Sequence, residues 1–224
     1  MSGERPELTL ERDLWARGVR VVAGLDEAGR GAWAGPVVAG AVVLPPDRLD
    51  LEDVLCGVRD SKLCTPAQRE GLYPLVLDVA LAAGVGVASE REVEALNVVG
   101  ATRLAMRRAL DGLSVRPEML LIDGRTLRLP QVNLPQQSMN EGEKHSLSIA
   151  AASILAKVTR DRLLVELDRE YPAYGFAQHK GYGTAYHQAM IARHGPCPIH
   201  RRTYGPIQRT LFDGLPGDQP EGPA

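Results

Sequence analysis

The sequence has 224 residues, 44% of them hydrophobic, with 26 Lys and Arg against 28 Asp and Glu for a net charge of −2. That is enough apolar material for a sizeable core, and the near-balanced charge excludes bulk attraction to a polyanion as a guide to function. No run approaches the ~18 apolar residues of a membrane span, and the start "MSGERPELTLERD" lacks the apolar stretch of a secretory signal.

Residues 19–26 and 36–44 read as two strands joined by a glycine-rich turn, the second stopped by Pro45 and Pro46. Thr65 is a predicted N-cap with Pro66 in the first helical position. "GVGVASE", from Gly84, is a third strand. Ser89, with Glu92 three residues on, forms a capping box that opens a helix reaching Leu113. "EMLLIDG", from Glu118, is a short buried strand ending in Asp123. Residues 147–170 and 182–194 read as helices, and the Pro/Gly-rich tail 213–224 as disordered. The expected organisation is an N-terminal segment 1–18, a core 19–170, a helical C-terminal region 171–212 and that tail. The order of elements predicts an α/β fold, a mixed β-sheet flanked by helices. Ligands of such sheets bind beyond the carboxyl ends of strands, where Asp26 and Asp123 stand.

Hard divalent cations want carboxylate oxygens, so strands ending in acids are candidate metal positions. Adjacent side chains of a regular strand point to opposite faces. Asp26 and Glu27 can therefore serve one site only where the strand ends, which Gly29 and Gly31 provide. Spacing alone leaves open that these acids are solvated turn residues or caps. "GRGAWA", from Gly29, matches a dinucleotide fingerprint, but that motif needs a helix to begin at the glycines. Here Pro36 and "VVAGAVVL" follow, which indicates a hairpin. The cysteines (Cys56, Cys64, Cys197) form no CxxC pair, which argues against structural zinc and suits a reducing cytoplasm.

From Tyr171 to Arg209 there is no acid. The stretch holds Lys180, Arg193, Arg201, Arg202, Arg209, His179, His187, His194, His200 and five of the 6 tyrosines. It reads either as a phosphate-backbone surface or as an ordinary region whose counter-charges sit elsewhere.

Six segments in order, "GLDEAGRGAWAGPVVAGAV", "RDSKLCTPAQRE", "LLIDG", "SLSIAAASILAKVTRD", "YGFAQHKGYGT" and "HRRTYGP", together closely resemble bacterial ribonuclease HII from Val21 to Arg209. The resemblance implies a ribonuclease H-like fold with a helical C-terminal region. It implies an endonuclease that hydrolyses the RNA strand of RNA–DNA hybrids and nicks duplex DNA 5′ of embedded ribonucleotides, leaving 3′-hydroxyl and 5′-phosphate ends. It also implies Mg²⁺ or Mn²⁺, two ions once substrate is bound, held by Asp26, Glu27 and Asp123. The fourth acid of the family is the Asp of a Lys-Gly-Asp. "EGEKHS" occupies that place here, so Glu143 is the matching residue, and its longer arm leaves direct and water-mediated ligation both open. Asp161 reads instead as an i,i+4 partner of Lys157. By the same resemblance, Gly29, Arg30, Gly31 and Tyr182 sense the ribonucleotide junction. Lys62 and Lys180, with Arg201, Arg202 and His179 in support, hold phosphates. "QRTLF", Gln208 to Phe212, resembles a sliding-clamp motif. The other expectations are a monomer, a cytoplasmic location and no membrane partner. Rival classes are another metal nuclease of the same fold and a non-catalytic nucleic-acid binder.

Overall fold

The computed structural model describes residues 6–212; the tail expected to be disordered lies outside them. Five strands, β1 (Val22–Ala28), β2 (Val37–Val43), β3 (Ala82–Ala88), β4 (Met119–Asp123) and β5 (Gln136–Met139), form one sheet in the order β3-β2-β1-β4-β5. β1 and β2 form the predicted hairpin, antiparallel to each other, and β3 runs antiparallel to β2; β4 and β5 are parallel additions. The helices are α1 (Thr9–Ala16), α2 (Leu51–Val54), α3 (Pro66–Val79), α4 (Glu90–Asp111), α5 (Gly142–His145), α6 (Leu147–Glu170), α7 (Phe176–His179), α8 (Ala185–His194) and α9 (Gly205–Phe212). The mixed α/β expectation holds. The capping boxes at Thr65 and Ser89 are both formed.

Both sheet faces are covered, so β1 and β2 read as apolar runs with little alternation. Leu25, Ile122 and Ala39 face α4 and pack with Ala105, Met106 and Ala109. Val42 faces the other way, toward the alanine-rich start of α6. There the backbones nearly touch. A Cβ on Gly40 would lie 2.4 Å from the Ala152 carbonyl oxygen. Small residues on helix and strand together allow that approach.

Some boundaries move. The predicted helix at 182–194 starts at Ala185, because Thr184 is its N-cap and accepts from the His187 N–H at 3.1 Å. Tyr182 therefore sits in a turn. α4 breaks at Asn97, whose φ of 57° is left-handed and whose Oδ1 accepts from the N–H groups of Val99 and Gly100 at 2.9 and 3.1 Å, starting a second helical segment. β5, "QQSM", was not expected: it is short and polar and shows no strand periodicity.

The C-terminal region packs on the far end of α6. Leu164, Phe176, Ile191, Ile199 and Ile207 gather there with Ala34. His179, His187 and His200 are buried within it. Their backbone partners set the tautomers. The Cys197 N–H donates to His200 Nδ1 at 2.9 Å, His200 Nε2 donates to His187 Nε2 at 3.0 Å, and His187 Nδ1 donates to the Tyr182 carbonyl at 2.9 Å. The acid-free stretch is thus in part a neutral core, because two of its histidines, His187 and His200, are spent on this relay.

Two tests follow from this packing. Gly40→Val should cost about 2–3 kcal/mol by overpacking against α6, read as a lower urea midpoint. Burial lowers His187 and His200 to about 4, well below the ordinary histidine value of 6.5. The unfolded chain therefore binds more protons between those values, so stability should fall as pH drops from about 6.5 toward 4. A melting-temperature series should show this slope, and the paired change of both histidines to asparagine should flatten it.

Candidate active site

The site is built at the carboxyl ends of β1 and β4. Leu25 pairs with Ile122, so Asp26 and Asp123 come next on neighbouring parallel strands. Leu25 and Ile122 face α4, and alternation turns Asp26 and Asp123 to the α6 side. The β1–β4 ladder stops at Leu25, whereas β1 runs on against β2 to Ala28. Glu27 therefore lies on a strand still paired on one side and open on the other. That open side is how both acids reach one region, although β1 does not end at Glu27. Glu143 comes from α5, whose first N–H, that of Gly142, donates to Asp123 Oδ1 at 2.7 Å. Ser146 then caps α6, so α5 and α6 hold Glu143 against the strand ends.

Asp26 and Glu143 are buried. Burial, together with Glu27 and Asp123 nearby, pushes the Asp26 carboxyl well above its ordinary value. Burial raises Glu27 to about 7 even though Arg30 Nη1 stands 3.1 Å from its Oε1. Glu143 is raised by burial, with Asp123 and Asp60 adding to it. Lys62 is the balancing cation: its Nζ lies 4.0 Å from Glu143 and 3.9 Å from Asp60. Partial burial works against its charge, but Asp60, Asp26, Glu143 and Asp123 outweigh it and raise its pKa. Asp60 is an acid of this neighbourhood that spacing did not single out.

Glu27 Oε2 and Glu143 Oε2 are both buried without a hydrogen-bond partner. Buried carboxylate oxygens without donors are costly unless a cation meets them. The donor set is all oxygen and suits Mg²⁺ or Mn²⁺. Among the described residues no three acidic, histidine or cysteine side chains already stand around one point as a finished cage. Arg30 and Lys62 instead hold Glu27 and Glu143 as pairs.

A family model described as Ribonuclease HII matches residues 23–210. The chain belongs to the ribonuclease HII family. It is 50% identical over 207 residues to the ribonuclease HII of Chloroflexus aurantiacus, covering 92% of this chain and 97% of that one. The ribonuclease H2 of Pyrococcus horikoshii OT3 superposes with a TM-score of 0.72 at 27% identity, over 86% of this chain and 97% of that one. Bst-RNase HIII, solved in complex with Mn²⁺, shares the fold at a TM-score of 0.64 and 17% identity, over 87% of this chain and 70% of that one. As a member of the ribonuclease HII family, the protein is a metal-dependent endonuclease with ribonuclease H activity on RNA–DNA hybrids.

The loop and C-terminal residues divide in two. Gly29 has φ +95°, and a Cβ there would lie 2.0 Å from Arg160 Nε. The space beside Gly29 is thus filled by Arg160, not left open for a ribose. A Cβ on Gly31 would meet nothing within 4 Å. The N–H groups of Arg30 and Gly31 donate to no group among the described residues. Arg160, which sequence reasoning missed, is fully buried and donates to the carbonyls of Pro36, Lys180 and Ala34 at 2.9, 2.8 and 3.1 Å. Its guanidinium lies 5.2 Å from the Tyr182 ring centroid, and Lys157 Nζ 5.5 Å from it. One buried arginine therefore fixes the Gly-Arg-Gly loop and the Tyr182 turn relative to each other. Its only sequence signal is a charge three residues after Lys157. Asp161 pairs with Lys157 at 2.7 Å, as expected, and with Arg69 at 3.4 Å.

Two expected phosphate contacts are corrected. Arg201 is fully buried and donates to the carbonyls of Gly35 and Arg30, both at 3.0 Å, so it clamps the loop from inside. His179 is buried, with Gly181 N–H donating to its Nδ1 at 3.2 Å and its Nε2 donating to Tyr174 O at 2.8 Å. Its Nδ1 accepts and so carries no proton, and burial holds its pKa below the ordinary value. Arg202 is exposed, Lys62 is 76% exposed and Tyr182 is half-buried. Lys180 has φ 53°, and its Nζ is folded back onto the Ala177 carbonyl.

Arg201→Ala should lower stability by about 3 kcal/mol, since buried carbonyls lose charged donors. Arg202→Ala should leave the melting temperature unchanged. Thermal scans of the two variants check this division.

Proposed function

We propose that the protein nicks duplex DNA on the 5′ side of an embedded ribonucleotide, in addition to cutting the RNA of hybrids, by two-metal-ion hydrolysis that leaves 3′-hydroxyl and 5′-phosphate ends. The observation that carries the catalytic part is the pair of buried, unpartnered carboxylate oxygens on Glu27 and Glu143, beside Asp26 and Asp123. These four residues would hold Mg²⁺ or Mn²⁺. Such ions activate a water and stabilise the leaving 3′ oxygen.

The chain's own residues do the rest. Arg30 and Lys62 pair with Glu27 and Glu143 and offset part of the cost of burying their charge. The bare Gly31 backbone and the two undonated N–H groups beside it suit close approach of a sugar carrying a 2′-hydroxyl. Tyr182, backed by Arg160 and Lys157, offers a ring that stacks where a deoxyribose fits and an added hydroxyl crowds. Lys62, Arg202 and, once unfolded from Ala177, Lys180 position phosphates without reading bases. In this reading residues 19–170 are the catalytic core and 171–212 the substrate-binding region, in a cytoplasmic monomer.

A duplex with one ribonucleotide, set against an all-DNA control, tests the specificity: only the first should be cut, and equal cutting of both would overturn the reading. Asp123→Asn should lower turnover roughly 100-fold or more with substrate binding kept, since a cation loses a charged ligand. Tyr182→Ala should reduce single-ribonucleotide cutting more than total affinity. A uniform fall would make Tyr182 a backbone anchor only.

Gln208 is exposed on α9, and the side chains of the rest of the clamp-like motif lie outside the described ones. The clamp reading is checked by comparing retention of the full chain and of one ending at Arg209 on an immobilised sliding clamp.

A further inference from the structure

We propose that the turn after Asp123, carrying Arg125 and Arg128 with Arg103 behind it, grips a backbone phosphate of the bound duplex on the flank of the carboxylates opposite the Gly-Arg-Gly loop. The inference rests on the nucleic-acid duplex being the substrate. The sheet order β2-β1-β4-β5 sets the geometry. The Gly-Arg-Gly loop joins β1 to β2, whereas the arginine turn leaves β4 toward β5. A duplex lying across the strand ends over Asp26 and Asp123 meets one on each side.

The turn is firmly built. The Gly124 N–H donates to the Met139 carbonyl at 2.7 Å, and the Leu127 N–H closes the turn onto the Gly124 carbonyl at 2.8 Å. Leu127 is fully buried in the core below. The Arg125 N–H donates to Asn140 Oδ1 at 3.3 Å, which ties the turn to the segment leading into Glu143. Arg125, Thr126 and Arg128 are exposed on it.

The charge there is unbalanced. Elsewhere on α4, Arg107 and Arg108 are paired with Asp111 and Glu92 at 3.0 and 2.8 Å. Among the described residues no carboxylate pairs with Arg125, Arg128 or Arg103. Glu141, in the neighbouring segment, is taken by Lys144. Arg103 spends Nη2 on the Thr126 carbonyl at 3.2 Å, while its buried Nε has no partner. Guanidinium groups on a rigid turn, without counter-charge and beside the carboxylates, call for an anion. Phosphate matches the guanidinium fork. A side chain reaching from this flank sees sugar–phosphate, not base edges, so the contact is independent of sequence.

The test measures KM and kcat on an RNA–DNA hybrid, and inhibition by an all-DNA duplex, at several salt concentrations. It compares wild type, the double variant Arg125→Ala/Arg128→Ala, and Arg116→Ala, which removes an exposed arginine away from this turn. The double variant should raise KM about tenfold or more at low salt, weaken inhibition by the all-DNA duplex alike, and flatten the salt dependence by about one to two phosphates' worth, with kcat within twofold. Arg116→Ala should stay near wild type. Unchanged KM and salt slope would overturn the proposal, as would an equal loss in Arg116→Ala, which would mean bulk charge, or a loss on the hybrid alone, which would mean sugar reading. Wild type cutting all-DNA as well as the single-ribonucleotide duplex would defeat the specificity reading and leave this result interpretable.

Discussion

Backbone-to-backbone packing of α6 on the centre of the sheet is the constraint on which the rest of the structure depends. Gly24 and Gly40 leave no side chain between strand and helix, and the facing turns of α6 are serine and alanine. Close-packed backbones cannot slide without large loss of contact. The axis of α6 is therefore fixed relative to β1. The beginning of α6 adjoins Glu143. The later turns run past the sheet and deliver Lys157, Arg160 and Asp161 to the loops beyond. One continuous helix thus sets the position of an acid at one end and of the loop machinery at the other.

The electrostatics follow from that burial. Asp26 and Asp123 follow the paired ends of neighbouring parallel strands, Glu27 and Glu143 stand beside them from β1 and α5, and protein cations answer only part of their charge. Arg30 and Lys62 balance the outer members, while Asp26 is buried among its neighbours and accepts from the Glu27 N–H at 2.7 Å. Crowded buried carboxylates raise one another's proton affinity, and on the proposed reading hard cations would relieve that repulsion. The N-terminal helix contributes in the same way. Glu11 is buried and accepts from the Ser146 and Ser148 hydroxyls, both at 2.6 Å, which locks the start of α6.

Much of this was legible in the sequence because local signals and tertiary need agreed. The N-cap at Thr65, the capping box at Ser89, the glycine-rich hairpin and the placing of Asp26 and Asp123 after apolar strands each pointed to what is observed. What was missed shares one cause: its meaning is tertiary. "QQSM" pairs as β5 only because β4 offers an edge. Arg160 and Arg201 look like surface charges, and only the fold shows that each is surrounded by backbone carbonyls. The histidines near the C-terminus look like a basic footprint until their ring nitrogens are assigned. Even Gly29 has a different reason for being glycine than its neighbourhood suggested, since an arginine side chain occupies the space beside it.

The histidine relay carries one more consequence. Its hydrogen bonds run in a single direction, from the Cys197 amide through His200 and His187 to the Tyr182 carbonyl. Each ring must accept on one nitrogen and donate from the other, so a single replacement breaks the donor–acceptor sequence at both ends. Inherited change at His187 and His200 should therefore come as coordinated exchanges, and drift at this pair should be slow because each ring is held by the other and by the backbone.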